Sequence, residues 1–370
     1  MKPSSWSQER LEALEGGLEV SFLPRDDPEM SNFCDHGRNY TAWRTADIVF
    51  SKEVCDMELK GRPLHFGVQL QAQRTSWPDY LAAVRTAEEL GYGSVWTFDH
   101  LLPFAGPDDG ACFETLTTLS AMALSTERVR IGALVNGAIY RHPAVLAKAA
   151  AQVDQMSGGR LEFTLGAAWA EREFRSFGLE FPDLSERYQR LAEALELVKL
   201  LWTEPRATFH GRYYRLEGAA CEPKPVQSPH PPITIGGTGL GSLRVAAQHA
   251  SRLNVVGSPA KCAESAAKLR RLCEDIGRDG EGIELSCHPT LALAKSRGEA
   301  EEVAKRIAAS NWADLESVRE GWLIGAPEDV IKGLRRYIDA GVTHFVFAIA
   351  PPFDLGALEL MQSEVLPAFS

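Results

Sequence analysis

Two adjacent residues, Asp99 and His100, close the apolar run SVWTF (94–98). An imidazole titrates near neutral pH, and a neighbouring carboxylate can orient or charge it, so the pair is a candidate for proton handling. The competing reading is a loop aspartate beside an ordinary surface histidine. A second candidate is PPITIGGTGLGS (231–242), a glycine-rich turn between an apolar run and a helical stretch. The backbone N–H groups of such a turn, with the helix N-terminus behind it, suit a phosphate or another anion. A dinucleotide fingerprint would need GxGxxG and an acidic residue about twenty positions on. Here the glycines are spaced GxGxG and RLNVVGS follows without one.

Two further segments could touch a ligand. In ALVNG (133–137) the polar Asn136 follows a strand-like run and should reach a cavity mouth, with Arg141 nearby to meet an anion. In Gly166-Ala167-Ala168-Trp169 the small residues let a flat ligand approach the backbone, and Trp169 can wall the pocket or pack in the core. Other chemistries fit poorly. The nine histidines are dispersed, with no HxH or HExxH, and no GxSxG nucleophile turn occurs. Cys34-Asp35-His36 lacks partners for a metal, so no metal site is expected. Seven cysteines with no CxxC pair exclude a zinc ribbon and suit a reduced, cytoplasmic compartment.

These residues need a scaffold, and the hydrophobic pattern supplies one. Eight strand-like runs recur at 64–70, 94–98, 129–135, 161–166, 232–236, 252–256, 284–293 and 343–349. Helical stretches follow them at 78–90, 113–125, 143–156, 185–202, 239–250, 259–276, 298–310 and 355–367, with one more at 327–340. Gly91 and Gly341 stop their helices just before a strand begins, as a left-handed terminal residue does. Repeated strand–helix units give parallel strands with right-handed crossovers, and eight units predict an α/β fold closed into a (βα)8 TIM barrel. An open doubly wound sheet is the alternative. In a barrel Asp99, His100 and the glycine turn all fall at the C-terminal face, where long loops at 99–112 and 166–184 also lie. The stretch 203–231 includes ATFHGRYYRLEG, which suits two short strands.

Residues 1–62 lack this rhythm and are read as an N-terminal extension, partly disordered or draped on the 63–370 barrel, with a short amphipathic helix near 8–18. The net charge of −11 argues against nucleic acid or an anionic membrane as partner. No run approaches the roughly 18 apolar residues of a membrane helix. A small-molecule ligand is the expected partner.

From about Leu64 to Pro367 the chain resembles the luciferase-like monooxygenase superfamily, and within it the oxidoreductases that use the deazaflavin coenzyme F420. The resemblance rests on TFDHLLP (97–103), YRHPAVLAKAAAQVDQMSGGRLEFTLGAAW (140–169), RYQRLAEALELVKLLWTE (187–204), ATFHGRYYRLEGA (207–219), PKPVQSPHPPITIGGTG (223–239) and the helix start GAPEDV (325–330). It implies the barrel, a coenzyme in its mouth, and hydride transfer between substrate and the ring carbon that replaces the central flavin nitrogen. It places Asp99 and His100 beside the ring and substrate. It puts a non-prolyl cis turn at Leu134-Val135 against the ring, followed by Asn136. It runs Gly166, Ala167, Ala168 and Trp169 along the ring and ribityl chain, and sets Gly236, Gly237, Thr238 and Gly239 around the phosphate. It also suggests a homodimer. Two positions depart from the sugar-phosphate dehydrogenases of this group: Trp169 stands where they carry a glutamate, and Phe104 is the nearest aromatic to an expected tryptophan. Two alternatives stay open: an FMN-dependent monooxygenase of the same fold, and a non-catalytic flavin-binding barrel.

Overall fold

The computed structural model describes residues 58–59, 62–104, 107–311 and 313–369. The proposed extension, including the 8–18 helix and Cys34-Asp35-His36, therefore lies almost wholly outside the described residues. A two-residue pair, β1 (Glu58–Leu59) and β2 (Arg62–Pro63), precedes the first barrel strand.

Eight parallel strands then close on themselves: β3 (His65–Leu70), β4 (Ser94–Thr97), β5 (Arg130–Ala133), β6 (Leu161–Leu165), β9 (Ile233–Gly236), β10 (Arg252–Val255), β11 (Glu284–Cys287) and β14 (His344–Ile349). β14 pairs with β3 over six residues, from His344↔His65 to Ile349↔Leu70, and with β11 at Ser286↔His344, which seals the ring. β3, β4, β6 and β14 are buried almost throughout, as strands covered on both faces must be. The helices on the outside are α1 (Trp77–Glu89), α2 (Thr115–Ser125), α3 (Pro143–Met156), α5 (Leu184–Thr203), α6 (Leu240–His249), α7 (Pro259–Asp275), α8 (Arg297–Ser310) and α10 (Pro327–Asp339). Short helices α4 (Glu171–Ser176), α9 (Leu315–Val318) and α11 (Leu355–Leu360) lie in the connections or after the last strand. No helix among the described residues is long and apolar enough to cross a membrane.

Local chemistry explains the boundaries. Ser76, Asp183, Ser258 and Ser296 each accept from a backbone N–H of the helix they open, and proline occupies the first turn of α1, α3, α7 and α10. Gly91 and Gly341 adopt φ of +87° and +93° after their helices. Inside the ring, Trp96 fills the space beneath the mouth. A Cβ on Gly132 would meet its ring at 2.5 Å, so the strand beside it must carry glycine there. Within the barrel, Arg252 is held by Glu162 at 2.8 Å and Glu284 at 2.6 Å.

Three departures from the sequence reading have physical causes. The run 284–293 is two strands, because Pro289 has no N–H to continue the ladder. β12 (Thr290–Leu293) breaks away to pair with β13 (Trp322–Gly325), which the pattern did not suggest. The last helix ends at Leu360 and continues as a wider π turn and a tighter final turn to Phe369. The loop 166–184 contains α4. The stretch after α5 does form a hairpin, β7 (Ala207–His210) with β8 (Arg215–Ala219).

Candidate active site

The C-terminal mouth holds a cavity of about 810 Å³. Of the described residues singled out from the sequence as ligand contacts, all but Asn136 and Arg141 line it. Asn136 is buried, with its N–H donating to Thr164 Oγ1 and its amide to Thr164 O, both at 3.1 Å. It ties β5 to β6 instead of reaching the mouth, and its Oδ1 is buried without a partner among the described residues.

His100 follows β4. Its Nδ1 lies 2.6 Å from Oε1 of Glu173, a fully buried carboxylate on α4. The other oxygen of Glu173 accepts from Leu101 N at 2.9 Å and from the Tyr140 hydroxyl at 2.7 Å. An Nδ1–H held by a carboxylate leaves Nε2 of a neutral ring as the nitrogen able to accept a proton. Three aromatic rings surround this imidazole: Phe98, Phe104 and Trp169, with centroids 5.1, 5.6 and 5.5 Å away. Burial, then the hydrogen bond to Glu173, holds the Tyr140 phenol far above its usual range, so it remains a donor.

The carboxylate that meets His100 is thus not its chain neighbour, which corrects the pairing expected from the sequence. Asp99 turns the other way. Both its oxygens accept from Arg141, at 2.7 and 2.9 Å, and Oδ2 also accepts from Gly137 N at 2.9 Å. Its charge is neutralised by a bidentate pair, and its position on the cavity wall is fixed. Arg141, assigned earlier to an anionic ligand, is spent on Asp99 and Glu114.

The Leu134-Val135 peptide is cis. Gln69 donates to Leu134 O at 3.0 Å from inside the barrel. Val135 then packs where glycine alone leaves room. A Cβ on Gly166 or on Gly236 would each meet a Val135 methyl at 2.7 Å. Ala168 adopts φ of +58°, a left-handed conformation that costs a side-chain-bearing residue about 1–2 kcal/mol. Its carbonyl accepts from Arg187 at 2.5 Å. Beyond β9, Gly237 has φ of +127°, and Gly239 opens α6 with no side chain to cap it. Among the described residues, the first N–H groups of α6 therefore have no capping side-chain acceptor, next to the cavity-lining Thr238.

A family model described as luciferase-like monooxygenase matches residues 63–316. The chain belongs to the luciferase-like monooxygenase family. Among its relatives, the F420-dependent glucose-6-phosphate dehydrogenase of Kineococcus radiotolerans is 32% identical over 85% of this chain and 97% of that protein. That of Microbacterium testaceum is 29% identical over 82% and 97%. Among solved structures, an F420-dependent secondary alcohol dehydrogenase in complex with an F420-acetone adduct aligns with a TM-score of 0.74, at 23% identity, over 83% of this chain and 99% of that one. The coenzyme F420-dependent tetrahydromethanopterin reductase of Methanopyrus kandleri aligns at 0.71 and 20% identity, with 83% and 99% coverage. Both share the barrel.

In this luciferase-like barrel, sequence reasoning missed Glu173, Tyr140 and Gln69. Glu173 sits in EREF, on a helix of only six residues inside a loop, too short for periodicity to show. The available hint was a carboxylate next to Phe174, an apolar residue that needs burial.

Proposed function

We propose that the cavity holds coenzyme F420 against the Leu134-Val135 turn, with the reacting oxygen of the substrate beside His100. The protein is an F420-dependent oxidoreductase of the luciferase-like class that acts on a small organic molecule. The residues present fit such a coenzyme. The glycines at 166 and 236 let the Val135 side chain seat against the backbone, so that the Leu134-Val135 turn can form a wall of the cavity, and the uncapped start of α6 suits an anionic tail. Gly236, Gly237, Thr238 and Gly239 would hold the phosphate. Gly166, Ala167 and Ala168 would lie along the ring and ribityl chain, with Trp169 at the rim. Asp99 would present a fixed edge of the site, and Asn136 would support the turn from below.

The coenzyme supplies the two-electron hydride chemistry, and the chain supplies positioning and the proton path. When substrate is oxidised, the O–H proton passes to Nε2 of His100. When it is reduced, the proton returns from there. Glu173 balances the charge that develops on the ring and fixes its orientation. Phe98, Phe104 and Trp169 exclude water from the imidazole.

One observation carries this reading: a carboxylate-held imidazole in the same cavity as an uncapped glycine turn. Fluorescence titration of the purified protein with F420, and separately with FMN, tests it. Saturable quenching of F420 is expected. Tight FMN binding without an F420 response would favour the flavin monooxygenase alternative. Unchanged reduction and coenzyme binding in His100→Ala would favour a non-catalytic barrel.

A further inference from the structure

One imidazole in the mouth has no part in the chemistry above. His288 follows β11 at the break before Pro289 and lines the cavity. Its backbone is pinned on both sides: His288 N donates to Val255 O at 3.2 Å, and Ala348 N donates to Pro289 O at 3.0 Å. Its Nε2 is buried and has no hydrogen-bond partner among the described residues. In the order of the ring, β11 stands four strands from β5, so His288 lies across the mouth from the Leu134-Val135 turn.

An unpaired buried nitrogen is costly, and a ligand group that pairs with it recovers that cost. Burial lowers the His288 pKa to about 4, so the ring is neutral near pH 7. A neutral imidazole offers one N–H and one lone pair, which serve a hydroxyl or a carbonyl but bring no charge to a phosphate. The rest of the wall agrees. Arg187 is the only Lys or Arg among the described cavity-lining residues; its Nη1 donates to Ala168 O and its Cζ lies 4.2 Å from the Phe181 ring centroid, while its Nε is buried without a partner among the described residues. Trp169 and Val256 line the cavity with 64% and 65% of their surface exposed, which offers apolar area to a ligand.

We propose that His288 is a specificity-determining residue that hydrogen-bonds an uncharged oxygen of the substrate, and that the substrate is a neutral, largely apolar molecule and not a phosphate ester. This rests on the F420 reading above and names the substrate class of the same site.

The test uses F420-loaded wild type, His288→Phe and His288→Gln, with cyclohexanol and glucose 6-phosphate as probes. Wild type should oxidise cyclohexanol with kcat/KM at least about tenfold above that for glucose 6-phosphate. His288→Phe should raise KM for cyclohexanol about three- to tenfold with kcat within about twofold, and His288→Gln should recover most of the loss. F420 affinity, read by fluorescence, should be the same in all three. In wild type, the 15N resonance of His288 Nε2 should shift when cyclohexanol is added to the loaded protein. Preference for glucose 6-phosphate, oxidation of neither probe, or an unchanged KM in His288→Phe with no 15N shift would overturn the proposal while F420 binding stands. Failure of wild type to bind F420 would overturn the F420 reading itself, and this proposal with it.

Discussion

Glu173 Oε1 lies 2.6 Å from His100 Nδ1, although the two residues are 73 positions apart in the chain. The contact joins the loop after β4 to the short helix after β6, so the barrel's curvature, not local sequence, creates the dyad. The same carboxylate also accepts from Leu101 N and Tyr140 Oη. Three donors on one buried group fix its rotamer and, through it, the plane of the imidazole.

Glu173→Gln should therefore act on turnover and leave binding alone. The amide can still present an oxygen to Nδ1–H, but it cannot balance a positive charge on the ring. We expect kcat to fall about a hundredfold, with F420 affinity and substrate KM within about twofold. Steady-state kinetics paired with fluorescence titration checks this. A fall in affinity equal to the fall in rate would mean that Glu173 shapes the pocket instead.

Asp99 tests the other half of the mouth. Its side chain is 1% exposed, and Arg141 supplies two of its hydrogen bonds. Removing Arg141 strands a carboxylate in a dry wall. Arg141→Leu should cost about 3 kcal/mol in urea unfolding, while Asp99→Asn/Arg141→Leu should recover part of that loss. Equal destabilisation of the single and double variants would show that the arginine acts by packing alone.

Most of the barrel was legible because its strands and helices are long enough for periodicity to speak. All eight barrel strands fall within the runs read from sequence, and the glycine stops at 91 and 341 lie where expected. The cavity wall was legible through residue type: His100, the small residues at 166–168 and the glycine turn all reach it. Pairing was not. Asp99 sits next to His100 in sequence yet faces Arg141, because successive residues leaving a strand point to opposite sides. Asn136 is polar and follows a strand, but its amide is captured by Thr164 within the wall. His288 became visible only when Pro289 split an apolar run into two strands.

The glycines under Val135 give a prediction with a built-in rescue. A methyl at position 236 would sit 2.7 Å from Val135 Cγ1 and 3.0 Å from its Cγ2. Overpacking of this kind costs typically 1–3 kcal/mol, so Gly236→Ala should weaken F420 binding about tenfold or more. Shortening the valine removes the clash. Gly236→Ala/Val135→Ala should bind F420 more tightly than Gly236→Ala alone. Additive losses in the double-variant cycle would show that Gly236 is needed for its own conformation and not for the space it leaves.

Acid should loosen this fold through its buried histidines. Burial, with help from Lys199 and Arg278, lowers His249 from 6.5 to about 4, and burial alone does the same to His288. His344 is pushed well down too, by burial and then by the nearby Arg252. Each folded-state value lies below the unfolded one, so the unfolded chain binds more protons between them. The stability these rings confer as neutral groups is complete above about pH 6.5 and is lost as pH falls toward 4. The urea midpoint should thus drop between pH 7 and pH 5, by on the order of 1 kcal/mol or more in stability. His344→Asn keeps an amide within reach of Ser286, whose Oγ lies 2.9 Å from the ring Nδ1, but cannot take up a proton. It should lessen the pH dependence over that window, leaving the share of His249 and His288, whatever it does to stability at pH 7. An equally steep fall in His344→Asn would show that His344 contributes none of the acid sensitivity.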